Sequence, residues 1–166
     1  MSVPVVIGGA DGPTSVFLAG ELGGGWINVI GLVIVLSILI PNIIYALKFR
    51  GGENKCTNKV MNVIEQIGRY GCMLLMVLHI GKNEFGFGST ATFFVYLIGN
   101  ALLILGYWLV WILYFFKQSK WKSMILAVLP TLIFLLSGMA LQHVFLIIAA
   151  ILFGAGHIYV TWKNVE

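Results

Sequence analysis

The run ATFFVYLIGNALLILGYWLVWILYFF, residues 91–116, contains no Asp, Glu, Lys or Arg. As a helix rising 1.5 Å per residue it reaches ~39 Å, more than the ~30 Å hydrocarbon core of a bilayer. It does not alternate polar with apolar, so a barrel strand is the wrong reading. A helix satisfies its backbone groups within itself, which hydrocarbon demands. Four more runs have the same character, at residues 26–47, 60–80, 123–141 and 144–162. The second of them is polar in its first half. Composition agrees, since 60% of the 166 residues are hydrophobic and 10% are charged, against roughly 25% charged in soluble proteins. The expected fold is all-α: a polytopic membrane bundle of five full transmembrane helices over residues 26–166. Residues 1–25 precede it as a glycine- and proline-broken segment that is re-entrant, spanning or interfacial.

Charge sets a direction. Lys48, Arg50, Lys55, Lys59, Lys117, Lys120, Lys122 and Lys163 fall at alternate ends of the runs, all on one side. Lys82 alone falls on the other. The positive-inside rule places the basic side and the C-terminus in the cytoplasm. The N-terminus is then expected outside, although residues 3–22 are long enough to span. Trp26 would mark the outer interface. Tyr45, Tyr114, Trp121, Tyr159 and Trp162 would mark the inner one. The expected location is the plasma membrane. The net charge of +4 speaks of orientation rather than of nucleic acid. The first residues lack a basic leader, so no secretory signal is expected. Cys56 and Cys72 have no pairing pattern.

Few residues inside the runs can carry chemistry. Glu65 and Arg69 are four apart and share a helix face, acid first. They read either as a snorkelling arginine with a local partner, or as an internal pair lining a polar cavity. His157, flanked by Gly154 and Gly156, is expected to hydrogen-bond a neighbouring helix. Proton relay or ligand contact is its alternative use. His79 and His143 fall near the outer surface, where solvation accounts for them. Pro41 and Pro130 each free a backbone carbonyl, and Asn42 is placed to satisfy the first. Asn28 and Asn100 are single amides expected to bond across helices. Ala150 and Gly154 form a small-xxx-small packing seam.

The stretch IGGADGPTSVFLAG, residues 7–20, fits none of this. Gly8 and Gly9 open backbone angles closed to other residues. Gly12 and Pro13 suit the start of a helix, with Thr14 and Ser15 in its first turn. It lacks the lysine of a phosphate-binding loop. One reading is two half-spans meeting at a break with Asp11 between them. A carboxylate, two hydroxyls and free carbonyls there suit a hard monovalent cation. The other reading is a surface turn and a short amphipathic helix.

The same stretch resembles a motif of the beta subunit of sodium-translocating biotin-dependent decarboxylases. The matching positions are Gly8, Gly9, Asp11, Gly12, Pro13 and Thr14. The resemblance implies that Asp11 binds sodium at a membrane-embedded break. In that family the aspartate is also tied to decarboxylation of carboxybiotin. It covers about 15 residues, and the family's later polar motifs have no counterpart in residues 26–166. A complete decarboxylase channel is therefore not expected.

The leading expectation is a non-catalytic cation-binding membrane subunit, with Asp11, Thr14 and Ser15 as sodium ligands. Its partners would be the lipid bilayer and other membrane subunits or a second copy of itself, and not nucleic acid. The alternatives are a scaffolding or regulatory bundle without an ion site, and a membrane-embedded enzyme. No organic cofactor is implied and no catalytic residue is assigned.

Overall fold

The computed structural model describes residues 27–49, 54–78, 87 and 89–166. The described chain is helical: α1 (Val29–Lys48), α2 (Lys59–Val77), α3 (Thr90–Phe116), α4 (Lys120–Ala140) and α5 (Val144–Val165). Each expected run coincides with one helix. Four of them, α1, α3, α4 and α5, are long and apolar enough to cross a membrane. The expectation of five is narrowed on this point. α2 has the length, at 19 residues, but Lys59, Asn62, Glu65, Gln66 and Arg69 make its first half too polar.

Capping sets the boundaries. The Asn28 side chain accepts from the Gly31 N–H at 3.0 Å and starts α1. Asn58 accepts from Val60 and Met61 at the start of α2, and Ser89 accepts from Thr92 at the start of α3. An orphan N–H in the first turn finds an acceptor each time. α5 begins the same way, with His143 Nδ1 accepting from the Leu146 N–H at 3.1 Å. His143 is therefore buried, 7% exposed, and not the solvated surface group expected. Asn28 caps its own helix as well. Its backbone N–H makes the crossing, to the Val77 carbonyl at 2.7 Å. α2 ends there, and Leu78 pairs with Ile27 in a single antiparallel bridge.

α5 packs antiparallel along both α2 and α4, and α3 lies on the far side of α4. The α2–α5 seam is tight. A Cβ on Gly68 would lie 2.5 Å from the Phe153 nitrogen, and one on Gly156 would lie 2.8 Å from the Glu65 Cα. Two helices approach this closely only where side chains are missing. Gly154 instead faces Thr131 of α4, and Ala150 is fully buried. α1 touches α2 at one end, through Asn28 and Gly31, and otherwise leans on α3.

The contact between α1 and α3 is built around Pro41. A proline lacks the N–H that would bond the carbonyl four residues back. That carbonyl, on Ser37, accepts the Trp108 indole N–H of α3 at 3.0 Å. Asn42, expected from the sequence to satisfy it, does not. The Asn42 amide bonds the Ile38 carbonyl at 2.8 Å and the Tyr107 hydroxyl at 2.7 Å. Asn100 does bond across helices, accepting from the Ser137 hydroxyl of α4 at 3.3 Å.

Lysines gather at one end of the bundle. Lys122 donates to the Leu113 and Lys117 carbonyls at the end of α3, where a cation offsets the helix dipole. Lys48 lies over the rings of Phe49 and Phe115. Beside it Tyr45 packs against Trp111 and Tyr114.

Candidate functional site

The helix α2 carries its one acid, Glu65, on the face turned to α5. Gly156 allows the α5 backbone to meet it there, and the carboxylate is left 5% exposed. Burying a carboxylate without partners is costly. Glu65 has two. Arg69, one turn on along α2, donates to its Oε1. His157 of α5 places Nδ1 at 2.8 Å from the same oxygen. An ionised carboxylate only accepts, so Nδ1 carries the proton in this pair. The ring of Phe153 stacks under the imidazole, 4.8 Å between centroids and 15° from parallel. The imidazole is thus fixed in both direction and plane.

Glu65, Arg69 and His157 are therefore brought together, although 92 positions separate Glu65 from His157. Arg69 is the most open of the three, its side chain 34% exposed. Both donors converge on one oxygen, so the geometry suits a charge-assisted link between helices. Two positively polarised groups already sit on Oε1 of this carboxylate, which argues against a cation at that oxygen. Among the described residues no group of three His, Cys, Asp or Glu side chains is placed to hold a metal ion.

The other residues singled out from the sequence lie elsewhere. Asp11, Thr14, Ser15 and the motif positions Gly8, Gly9, Gly12 and Pro13 fall outside the described residues, as does His79. Cys56 and Cys72 are both free and buried. Cys56 sits in a compact turn, where its N–H bonds Asn54 and its carbonyl accepts from Asn62. Sequence reasoning missed Trp108 and Tyr107, which hold α1, and it missed Gly68. A search for donors at matching depth would have found Trp108 once Pro41 was noted.

Comparison of the chain with family models, with curated proteins and with solved structures finds no match.

Proposed function

We propose that this chain is a multi-pass plasma-membrane protein with five crossing helices, acting as a non-catalytic, cation-binding accessory subunit. One observation carries the membrane reading: polarity is distributed inside out. Asn100, Ser137 and Glu65 are 1%, 0% and 5% exposed, while Leu102 and Leu105 are 64% and 67% exposed. Water would drive those groups the other way. α2 joins as the fifth span because its costliest charge, Glu65, is paired within the bundle. The lysine-rich end faces the cytoplasm and the N-terminus lies outside.

The cation reading rests on residues 7–20. Asp11 provides the charge, Thr14 and Ser15 provide hydroxyl oxygens, and the glycine–proline break frees carbonyls. Sodium is the ion, and the partner is a sodium-pumping decarboxylase or a similar transport complex. Melting curves of the purified chain in sodium and in potassium, at equal ionic strength, test this. Sodium at a hundredfold excess over its dissociation constant is expected to add about 2.7 kcal/mol of stability. Asp11→Asn should abolish the difference and Thr14→Val should weaken it. Curves that coincide in both salts would end the cation reading.

One observation favours a second reading, a scaffolding bundle with no ion site. The buried acid of the described helices is already used, with Arg69 and His157 both on Glu65. Coinciding melts with an intact fold would support that alternative.

A further inference from the structure

α4 starts and α5 ends at the lysine-rich end of the bundle, and a groove of about 270 Å³ lies between them. It is lined by Trp121, Trp162, Met124 and Val165, and by two charged residues, Lys120 and Glu166. Both indoles are open to the outside, Trp121 at 81% and Trp162 at 53% exposure. Tryptophans at the end of a crossing helix sit at headgroup depth, and that alone makes them anchors.

The charges around the groove go further than an anchor needs. Glu166 is engaged, because Lys163 donates to its carboxylate and also lies over the Trp162 ring. Those two charges cancel. Lys120 has no acid of its own. Its ammonium has three donors and makes one bond, to the Glu166 backbone carbonyl at 3.4 Å. Lys117 stands three residues before it and Lys122 two after, and no Asp or Glu falls between Glu84 and Glu166. An occupant therefore meets aromatic rings and methylenes on one side and uncompensated positive charge on the other. A soluble anion uses only the charge, and an alkyl chain uses only the apolar lining. A phospholipid uses both. A zwitterionic headgroup brings an ammonium of its own to the lysines, so charge selects a headgroup that is negative overall.

We propose that the α4–α5 groove binds an anionic phospholipid of the adjoining leaflet. Its phosphate meets Lys120, and its glycerol and upper acyl segments lie along Trp121, Trp162 and Met124. The site rests on the membrane reading of α4 and α5. It is independent of Asp11, of α2 and of which side is cytoplasmic.

The test is tryptophan fluorescence of the full chain in phosphatidylcholine vesicles that carry a small fraction of lipid brominated on its acyl chains. Bromine quenches the indoles it reaches. Brominated phosphatidylglycerol is expected to quench more than the same fraction of brominated phosphatidylcholine. Trp121→Phe with Trp162→Phe should remove that excess, which places it at the groove. Lys120→Ala should lower the relative affinity for phosphatidylglycerol about fivefold, the effect of one lysine near an anionic lipid. Lys120→Arg should retain it. Lys59→Ala removes the same charge at the start of α2 and should leave the preference nearly unchanged. Equal quenching by both lipids would overturn the proposal and leave the tryptophans as anchors. An equal fall in the Lys120→Ala and Lys59→Ala proteins would also overturn it, since the preference would then belong to the whole basic end. Relief of quenching by inorganic phosphate at constant ionic strength would give the groove to a soluble anion instead. Relief on raising the protein-to-lipid ratio would give it to a second copy of the chain. A chain that does not float with the vesicles would remove the membrane reading and the site together, whereas flotation without lipid preference would remove the site alone.

Discussion

The Trp108 indole N–H bonds the Ser37 carbonyl at 3.0 Å, on the one carbonyl of α1 that Pro41 leaves without its helical donor. A defect in one helix is thereby made into a contact with another. Trp108→Phe should cost about 1 kcal/mol beyond the area lost. Pro41→Ala restores a donor within α1, so Trp108→Phe should cost less in that background. Unfolding of the parent protein, the two single variants and the double variant in detergent measures the coupling. Additive losses would remove the proposed link.

Gly156 and Gly106 make a matched pair of tests. A Cβ on Gly156 meets the Glu65 backbone at 2.7 Å, whereas one on Gly106 meets nothing within 4 Å. Gly156→Ala should destabilise by about 2 kcal/mol through overpacking. Gly106→Ala should be neutral or stabilising by up to about 1 kcal/mol from helix propensity. Melting temperatures of the two variants should move in opposite directions, or the Gly156 variant alone should fall.

Removing Glu65 should be worse than removing His157. Glu65→Ala leaves Arg69 without its anion, at about 3 kcal/mol. His157→Phe keeps the Arg69 pair and the stack on Phe153, and should cost about 1 kcal/mol. Glu65→Leu combined with Arg69→Leu should recover part of the loss, since no charge is then stranded. Equal losses in the Glu65→Ala and His157→Phe proteins would contradict a carboxylate shared between two donors.

Cys56 lies in the connection between α1 and α2, yet it is 6% exposed. It should react slowly with maleimide in the folded protein and fast after denaturation. Cys72, 0% exposed, should behave alike. Glu166→Cys should then be the only quickly labelled thiol, and only from the cytoplasmic side. Efficient labelling of it from outside intact cells would reverse the topology.

The helices were legible because bilayer thickness imposes length and apolarity directly on the sequence. The polarity of α2 was also legible, but its partner was not. Glu65 and Arg69 announce each other by a spacing of four, while His157 is set opposite them only by the α2–α5 packing. His143 misled for a related reason. It looked like a lone polar group in an apolar run, and it is a cap, because α5 begins one residue after it. Gly68 gave no signal of its own, since a glycine that admits a neighbour looks like one that simply fills a helix.

The Glu65–His157 link also bears on the order in which the protein is made. α2 leaves the ribosome early, and its seat on α5 follows 92 residues later. At ~5–20 residues per second that interval lasts roughly 5–18 s. Until then Glu65 has Arg69 and no imidazole, and Gly68 faces no Phe153. The nascent chain therefore passes through a stage in which its most polar helix is synthesised but unseated, and a chain that stops after α4 never leaves that stage.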